Sequence, residues 1–189
     1  MNKVMMKKCG CVLAGISVLL LLVGGMTRQA WAGSAAELDA DVKATLQHFY
    51  EEVKSGKQLV GEAKGVLVFP SVIKAGIGIG GEYGEGALQI KGKTADYYST
   101  AAASVGFQLG AQKKSIVVIF MQEDALKKFR ASSGWKAGVD ASIAVVTVGA
   151  GGEMDTAKLK EPILGFVFGQ AGLMYNLTLE GAKFTKIKK

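Results

Sequence analysis

The stretch Gly65–Ile90, GVLVFPSVIKAGIGIGGEYGEGALQI, restricts what this chain can fold into more than any other. It opens on a short apolar run, Gly65-Val66-Leu67-Val68-Phe69, bounded by Gly and by Pro70. Such a run between breakers predicts a buried strand that stops at Pro70. Gly76, Gly78 and Gly80 then occupy every second position, with Ile77 and Ile79 between them. In an extended chain alternate residues share a face, so one face carries the isoleucines and the other almost no side chain. A bare face lets a second backbone come close, or lets a sheet coil sharply where it folds on itself. Each glycine loses more chain entropy on folding than alanine would, so glycines at this density point to a geometric need.

The same glycines satisfy G-x-G-x-x-G. A dinucleotide site needs a helix opening at them, with its N-terminus on the pyrophosphate. The next residues are Glu82-Tyr83-Gly84-Glu85-Gly86, with two acids, two further glycines and no helical period. Acids there would repel phosphate. The reading that fits is a curved, glycine-rich hairpin.

PSVIKAGIGIGGEYGEGAL resembles the signature of the SYLF-domain family. The likeness continues through Val105-Gly106-Phe107-Gln108-Leu109-Gly110-Ala111-Gln112, Ile116-Val117-Val118-Ile119-Phe120 and a short helix at Ala125–Phe129. It ends in Gly172-Leu173-Met174-Tyr175-Asn176-Leu177-Thr178-Leu179-Glu180-Gly181. The resemblance implies a β-barrel core with helices packed on it, weak binding of anionic lipids such as phosphoinositides, and no catalysis. The family's fungal founders are also described as actin-binding, a role not expected of an exported bacterial protein.

Export is read from the first 32 residues. Lys3, Lys7 and Lys8 precede an apolar run from Val12 to Met26, and Ala30-Trp31-Ala32 supplies an A-x-A site. This is the layout of a secretory signal peptide cleaved after Ala32, which predicts an exported, periplasmic protein. The alternative, an uncleaved anchor, is disfavoured because the run is short for a membrane span. Cys9 and Cys11 precede the apolar run, whereas a lipidated cysteine would follow it. Cleavage would leave a chain without disulfide or thiol chemistry. It would also remove four bases and no acid, reducing the net charge from +7 to +3. A bias that small is not a nucleic-acid footprint. The remainder, residues 33–189, fits one domain.

Ser34-Ala35-Ala36-Glu37 is a capping-box pattern. Leu38, Val42, Leu46, Phe49 and Val53 come after it at helical spacing, predicting an amphipathic helix over about 35–54. In eukaryotic relatives a basic N-terminal helix is implicated in membrane contact. Here the polar face carries Glu37, Asp39, Asp41, Glu51 and Glu52 against Lys43 and Lys54, so docking on the barrel is the better reading. His48, the only histidine, points away from the apolar stripe and reads as an ordinary exposed residue. A shorter helical piece is expected from Lys57 to Ala63.

Strands are expected at Ala87–Ile90 and Ala95–Ser99 around the turn Lys91-Gly92-Lys93, at Ala101–Gln112, and at Ser115–Met121 after a turn at Lys113-Lys114. A helix from Gln122 to Arg130, an alternating segment Gly138–Gly149, and a hairpin of Phe166–Phe168 with Leu173–Leu179 about Gln170-Ala171-Gly172 complete the body. Phe184–Lys189 reads as a lysine-rich tail. The fold class is α+β, an antiparallel β-barrel core with about three helices packed on its surface. Closure accounts for a glycine content about twice the usual share.

Candidates for catalysis are few. No His or Cys lies in the strand-rich body to activate a nucleophile. Glu82 and Glu85 form an imaginable acid/base pair, but their glycine neighbours favour a solvated turn. Neither a metal nor another cofactor is expected, and Asn176-Leu177-Thr178, a glycosylation pattern, falls in a predicted strand. The chemistry that remains is charge at turns. Lys74, Lys91, Lys93, Lys113 and Lys114 are the candidate lipid-binding residues, each worth about 1 kcal/mol near an anionic surface. Lysines at turns also serve simply to keep hairpin ends soluble. The partner expected is an anionic lipid or membrane surface. A structural or protein-interaction role in the cell envelope is the alternative.

Overall fold

The computed structural model describes residues 34–147, 161–172, 179 and 181–189. The export segment, Asn176 and most of the expected strand Leu173–Leu179 lie outside the described residues. Helix α1 (Ala35–Glu52) begins at the capping box: the Ser34 hydroxyl accepts from the Glu37 N–H, and the Glu37 carboxylate accepts from the Ser34 N–H. Helix α2 (Gly56–Glu62) comes next, and then a long antiparallel hairpin of β1 (Gly65–Ile90) and β2 (Lys93–Phe120). Helix α3 (Glu123–Ala131) leads to β3 (Trp135–Lys136), β4 (Ala144–Thr147), β5 (Ile163–Gly172) and β6 (Lys183–Ile187). Among the described residues the architecture is α+β, with three helices on a curled, mostly antiparallel half-barrel sheet. Strand order is β3-β6-β2-β5-β4, with β1 on the other side of β2.

Both faces of this sheet are buried at its centre. Val66, Val68, Val117, Ile119, Leu164, Phe166 and Phe168 face one way, onto Leu38, Val42, Leu46 and Phe49 of α1. Leu67, Phe69, Ile116, Val118, Phe120 and Val167 face the other way, into the half-barrel with Phe129 of α3, Trp135 and Phe184. Unbroken apolar runs such as Ile116–Phe120 are what a strand covered on both sides requires. The N-terminal helix therefore docks on the body as its pattern predicts. Asp39 fixes its orientation, accepting from the Thr94 hydroxyl at 2.8 Å and the Tyr97 hydroxyl at 3.1 Å. The interior is filled by rings: Tyr98, Phe120, Trp135 and Phe184 all lie within 6.4 Å of the Phe129 ring, centroid to centroid.

The hairpin bends back on itself. The first half of β1 pairs with the second half of β2, and the second half of β1 with the first half of β2. Register shifts between Phe69 and Val72 and between Ile77 and Ile79 mark the bends. A Cβ on Gly84 would sit 2.7 Å from the Ser71 carbonyl oxygen, and one on Gly86 would fall on the Val68 carbonyl and the Phe69 ring. The two halves of β1 thus touch backbone to backbone, and only glycine permits it. The expectation of a close approach holds. It involves Gly84 and Gly86 as well as Gly76, whose added Cβ would meet the Gly80 backbone.

Several boundaries differ from expectation. β1 does not stop at Pro70. Among the described residues β1 pairs only with β2, so its other edge is free, and the missing N–H falls at a bulge. Nor does β2 break into separate strands: it runs through Thr100 and through Lys113-Lys114 without a turn. Of the described part of the alternating segment, Gly138–Thr147, only Ala144–Thr147 is a strand, and it pairs parallel to β5. Gln170-Ala171-Gly172 is the end of β5 and not a turn. The lysine-rich tail forms β6, bridging β2 and β3. No helix starts at the glycine-rich stretch, which excludes the dinucleotide reading.

Gly86→Ala should destabilise the protein by about 1–3 kcal/mol, because the methyl group has nowhere to go. Gly81→Ala, with nothing within 4 Å of the added atom, should change stability by no more than about 0.5 kcal/mol. Urea unfolding of the two variants side by side checks this.

Candidate functional site

The five predicted lysines divide between two sides of the sheet. Lys91 and Lys93 flank the hairpin turn, as expected. Lys91 has φ 51° and Gly92 φ 73°, the paired positive values of a two-residue I′-type turn, and both lysines are exposed. Lys113 and Lys114 are not at a tip. They are consecutive residues of a continuous strand, so they point to opposite faces. Lys113 is exposed, directly across from Ile73. Lys114 is turned inward and is only 1% exposed. Lys74 is also turned inward, 7% exposed, and stands opposite Gln112. The five do not make one rim.

The two inward lysines belong to a polar end of the half-barrel. Lys114 Nζ donates to Glu82 Oε2 at 2.8 Å, with both side chains almost fully buried. This overturns the reading of Glu82 as a solvated turn residue. Glu82 lies in the returning half of β1 and Lys114 in the second half of β2, so their bond ties one arm of the bent hairpin to the other. Glu82 Oε1 and Gln112 Oε1 are buried beside it without a protein partner. Glu85 is no free turn residue either. It accepts from the Tyr83 hydroxyl at 2.9 Å and pairs with Lys189. In the last strand Lys186 pairs with Asp96, which also holds Arg130 at 3.0 Å.

The exposed ends are therefore sorted. Lys91, Lys93 and Lys113 have no ion-pair partner among the described residues, whereas Lys114, Lys186 and Lys189 are bound to carboxylates. Around Lys113 the outer face of the hairpin carries Ile73, Ile79 and Tyr83, between about half and three-quarters exposed, together with exposed alanines at 75, 101, 103 and 111. Sequence reasoning put the isoleucines on one face of the strand but assigned them no part in a site. The signal was present in the absence of any charged residue from 75 to 81 and from 97 to 112.

Among the described residues no group of three or more metal-binding side chains forms. His48 is exposed as expected and sits 3.2 Å from Glu52 on its own helix. A cavity of about 180 Å³ lined by Ala137, Ser142, Ile143 and Leu179 contains none of the predicted residues. No described helix is long and apolar enough to cross a membrane, which says nothing of strands.

A family model described as "Ysc84: Las17-binding protein actin regulator" matches residues 101–189. Over those residues the chain is similar to the SYLF (Ysc84) family, in agreement with the resemblance carried by its motifs. The match takes in β2 from Ala101 onward and all the later elements. The glycine signature in β1, which first suggested the family, lies ahead of it. No curated protein matches the chain. The family description names binding of a protein, Las17, and regulation of actin.

Two predictions concern the interior. Glu82→Gln strands the Lys114 ammonium in a dry site and should cost about 3–5 kcal/mol, whereas Glu82→Leu combined with Lys114→Met should restore most of it. Denaturant unfolding of the single and double variants decides. The Tyr98 phenol is pushed up to about 12, chiefly by burial and then by the Asp96 charge. A raised phenol favours the folded state fully below its ordinary value near 10, and that contribution is lost between about 10 and 12. Ultraviolet titration should show a tyrosine component ionising near pH 12 that Tyr98→Phe removes.

Proposed function

We propose that this SYLF-like protein is an exported bacterial module that binds anionic lipid surfaces weakly, by charge and without turnover. The observation that carries this reading is the set of exposed lysines, Lys91, Lys93 and Lys113, left without carboxylate partners among the described residues, whereas Lys114, Lys186 and Lys189 are paired. An ammonium already neutralised by Asp or Glu offers an anionic headgroup little. A free one at a strand turn or on an open sheet face contributes about 1 kcal/mol, screened within a Debye length. Lys74 and Lys114 have no part in that contact, since they serve the interior. Export is supported by the N-terminal segment, whose basic start, apolar run and A-x-A site fit cleavage after Ala32 and a periplasmic location.

A second reading has its own support. The family description names a protein ligand, Las17, and an envelope protein held on the same sheet would suit a domain of this kind. Charge reversal separates the two. At low salt the protein should co-sediment with phosphatidylglycerol vesicles and not with phosphatidylcholine vesicles, and about 0.5 M salt should release it. Lys91→Glu, Lys93→Glu and Lys113→Glu together should weaken that binding about a hundredfold or more. Unchanged vesicle binding in the triple variant, or none by the wild type, favours the protein-binding reading.

A further inference from the structure

The bend of the hairpin carries an arrangement that electrostatics alone does not use. Gly76 and Gly80 are pressed together, so the chain between them turns tightly, and Ile79 stands on the outside of that turn, 74% exposed. Ile73 (49% exposed) and Tyr83 (54% exposed) flank it on the same outer face. No charged side chain occurs from 75 to 81, or from 97 to 112 on the paired strand. Two charges border this zone on the outer face: Lys113, directly opposite Ile73, and Glu85, which accepts from the Tyr83 hydroxyl and is paired with Lys189.

We propose that this corner is a membrane-insertion wedge. Ile79 enters the boundary between headgroups and acyl chains, Ile73 and Tyr83 enter at its margin, and Lys113 meets the headgroup phosphates. The inference rests on the lipid reading above and adds to it an apolar anchor. Three features select a bilayer as the occupant. The surface is convex and presents projecting side chains, where a peptide or helix partner would need a groove. The three large side chains offer on the order of 300 Å² of apolar area, well below the roughly 800 Å² per partner of a stable protein interface. With Glu85 neutralised by Lys189, the net charge bordering the patch is the positive charge of Lys113, which complements an anionic leaflet. Tyrosine, with an apolar ring and a polar tip, is also the residue type that settles at such a boundary. Shallow entry of roughly 5–10 Å suits a wedge of this kind.

The test uses the full chain as recovered from cells, with Cys9→Ser and Cys11→Ser, so that a single introduced cysteine carries an environment-sensitive NBD label. Vesicles of equal parts phosphatidylglycerol and phosphatidylcholine are added. The label on Ile79→Cys should shift to the blue and brighten, while the same label on Val139→Cys, exposed elsewhere, should not. In the unlabelled protein Ile79→Ser should lower the vesicle partition coefficient about tenfold without changing thermal stability. If the protein co-sediments but the label at position 79 keeps its aqueous emission, the wedge is wrong and the electrostatic reading stands. If the wild type does not co-sediment at all, both fall. If Ile79→Ser leaves vesicle binding intact and abolishes a dimer seen by sedimentation, the face belongs to a second copy and the proposal is overturned.

Discussion

Backbone contact between the two halves of β1 is the constraint from which the rest of the fold derives. A hairpin of this length has no stable form as a flat ribbon, because two strands alone bury too little. Folding it at the Gly76–Gly80 bend brings Gly84 onto Ser71 and Gly86 onto Val68. That contact curls the sheet tightly enough for its concave side to be filled by a handful of rings around Phe129. The convex side is left to α1. One bend thus sets both core layers, and the entropy lost by the glycines is offset by apolar burial on two faces.

The same curl explains why a lysine sits inside. Where the arms of the hairpin converge, the inner side chain positions of β2 are Gln112 and Lys114, and the facing position of the returning arm is Glu82. A pair of apolar residues there would hold the arms together with no preferred register. A buried ion pair at 2.8 Å is selective, since sliding either strand by one residue would leave a charge in the core with no partner. Its contribution is therefore to alignment more than to net stability. The unpartnered oxygens of Glu82 and Gln112 show that this polar end is less completely matched than the aromatic end.

Local signals in the chain were legible where one neighbour decides the outcome. The capping box at Ser34, the stripe from Leu38 to Phe49, the Lys91-Gly92 turn and the dipole-matched helix after Gln122 all depend on residues within a few positions, and all form as expected. Failures occur where distant contacts decide. Lys113-Lys114 looks like a turn because two adjacent charges are rarely split between solvent and core. The partner that permits it, Glu82, is 32 residues away. Pro70 looks like a strand end, yet it is tolerated on an edge at a bulge, and edge position is a property of the assembled sheet. Glu82 looked solvated among its glycines for the same reason: their bareness is what admits another segment of the chain. The candidate site was half visible. The alternation of glycine with isoleucine could be read, but which face would be covered depends on where the hairpin bends.

The weak binding proposed for this surface follows from this division of charge. Most polar work in the molecule is internal: Asp39 orients α1, Glu82 neutralises Lys114, and Asp96 gathers Arg130 and Lys186. Of the five candidate lysines only Lys91, Lys93 and Lys113 are exposed, and they are spread between a turn and a strand face. A surface of that kind cannot reach high affinity through phosphate contacts alone, since each contributes about 1 kcal/mol and ions screen it. An apolar corner changes the balance. A single isoleucine moved out of water contributes roughly as much as two such lysines and is insensitive to salt. Rigid strands also hold it at a fixed height above Lys113, so the charge and the apolar anchor engage the same leaflet together.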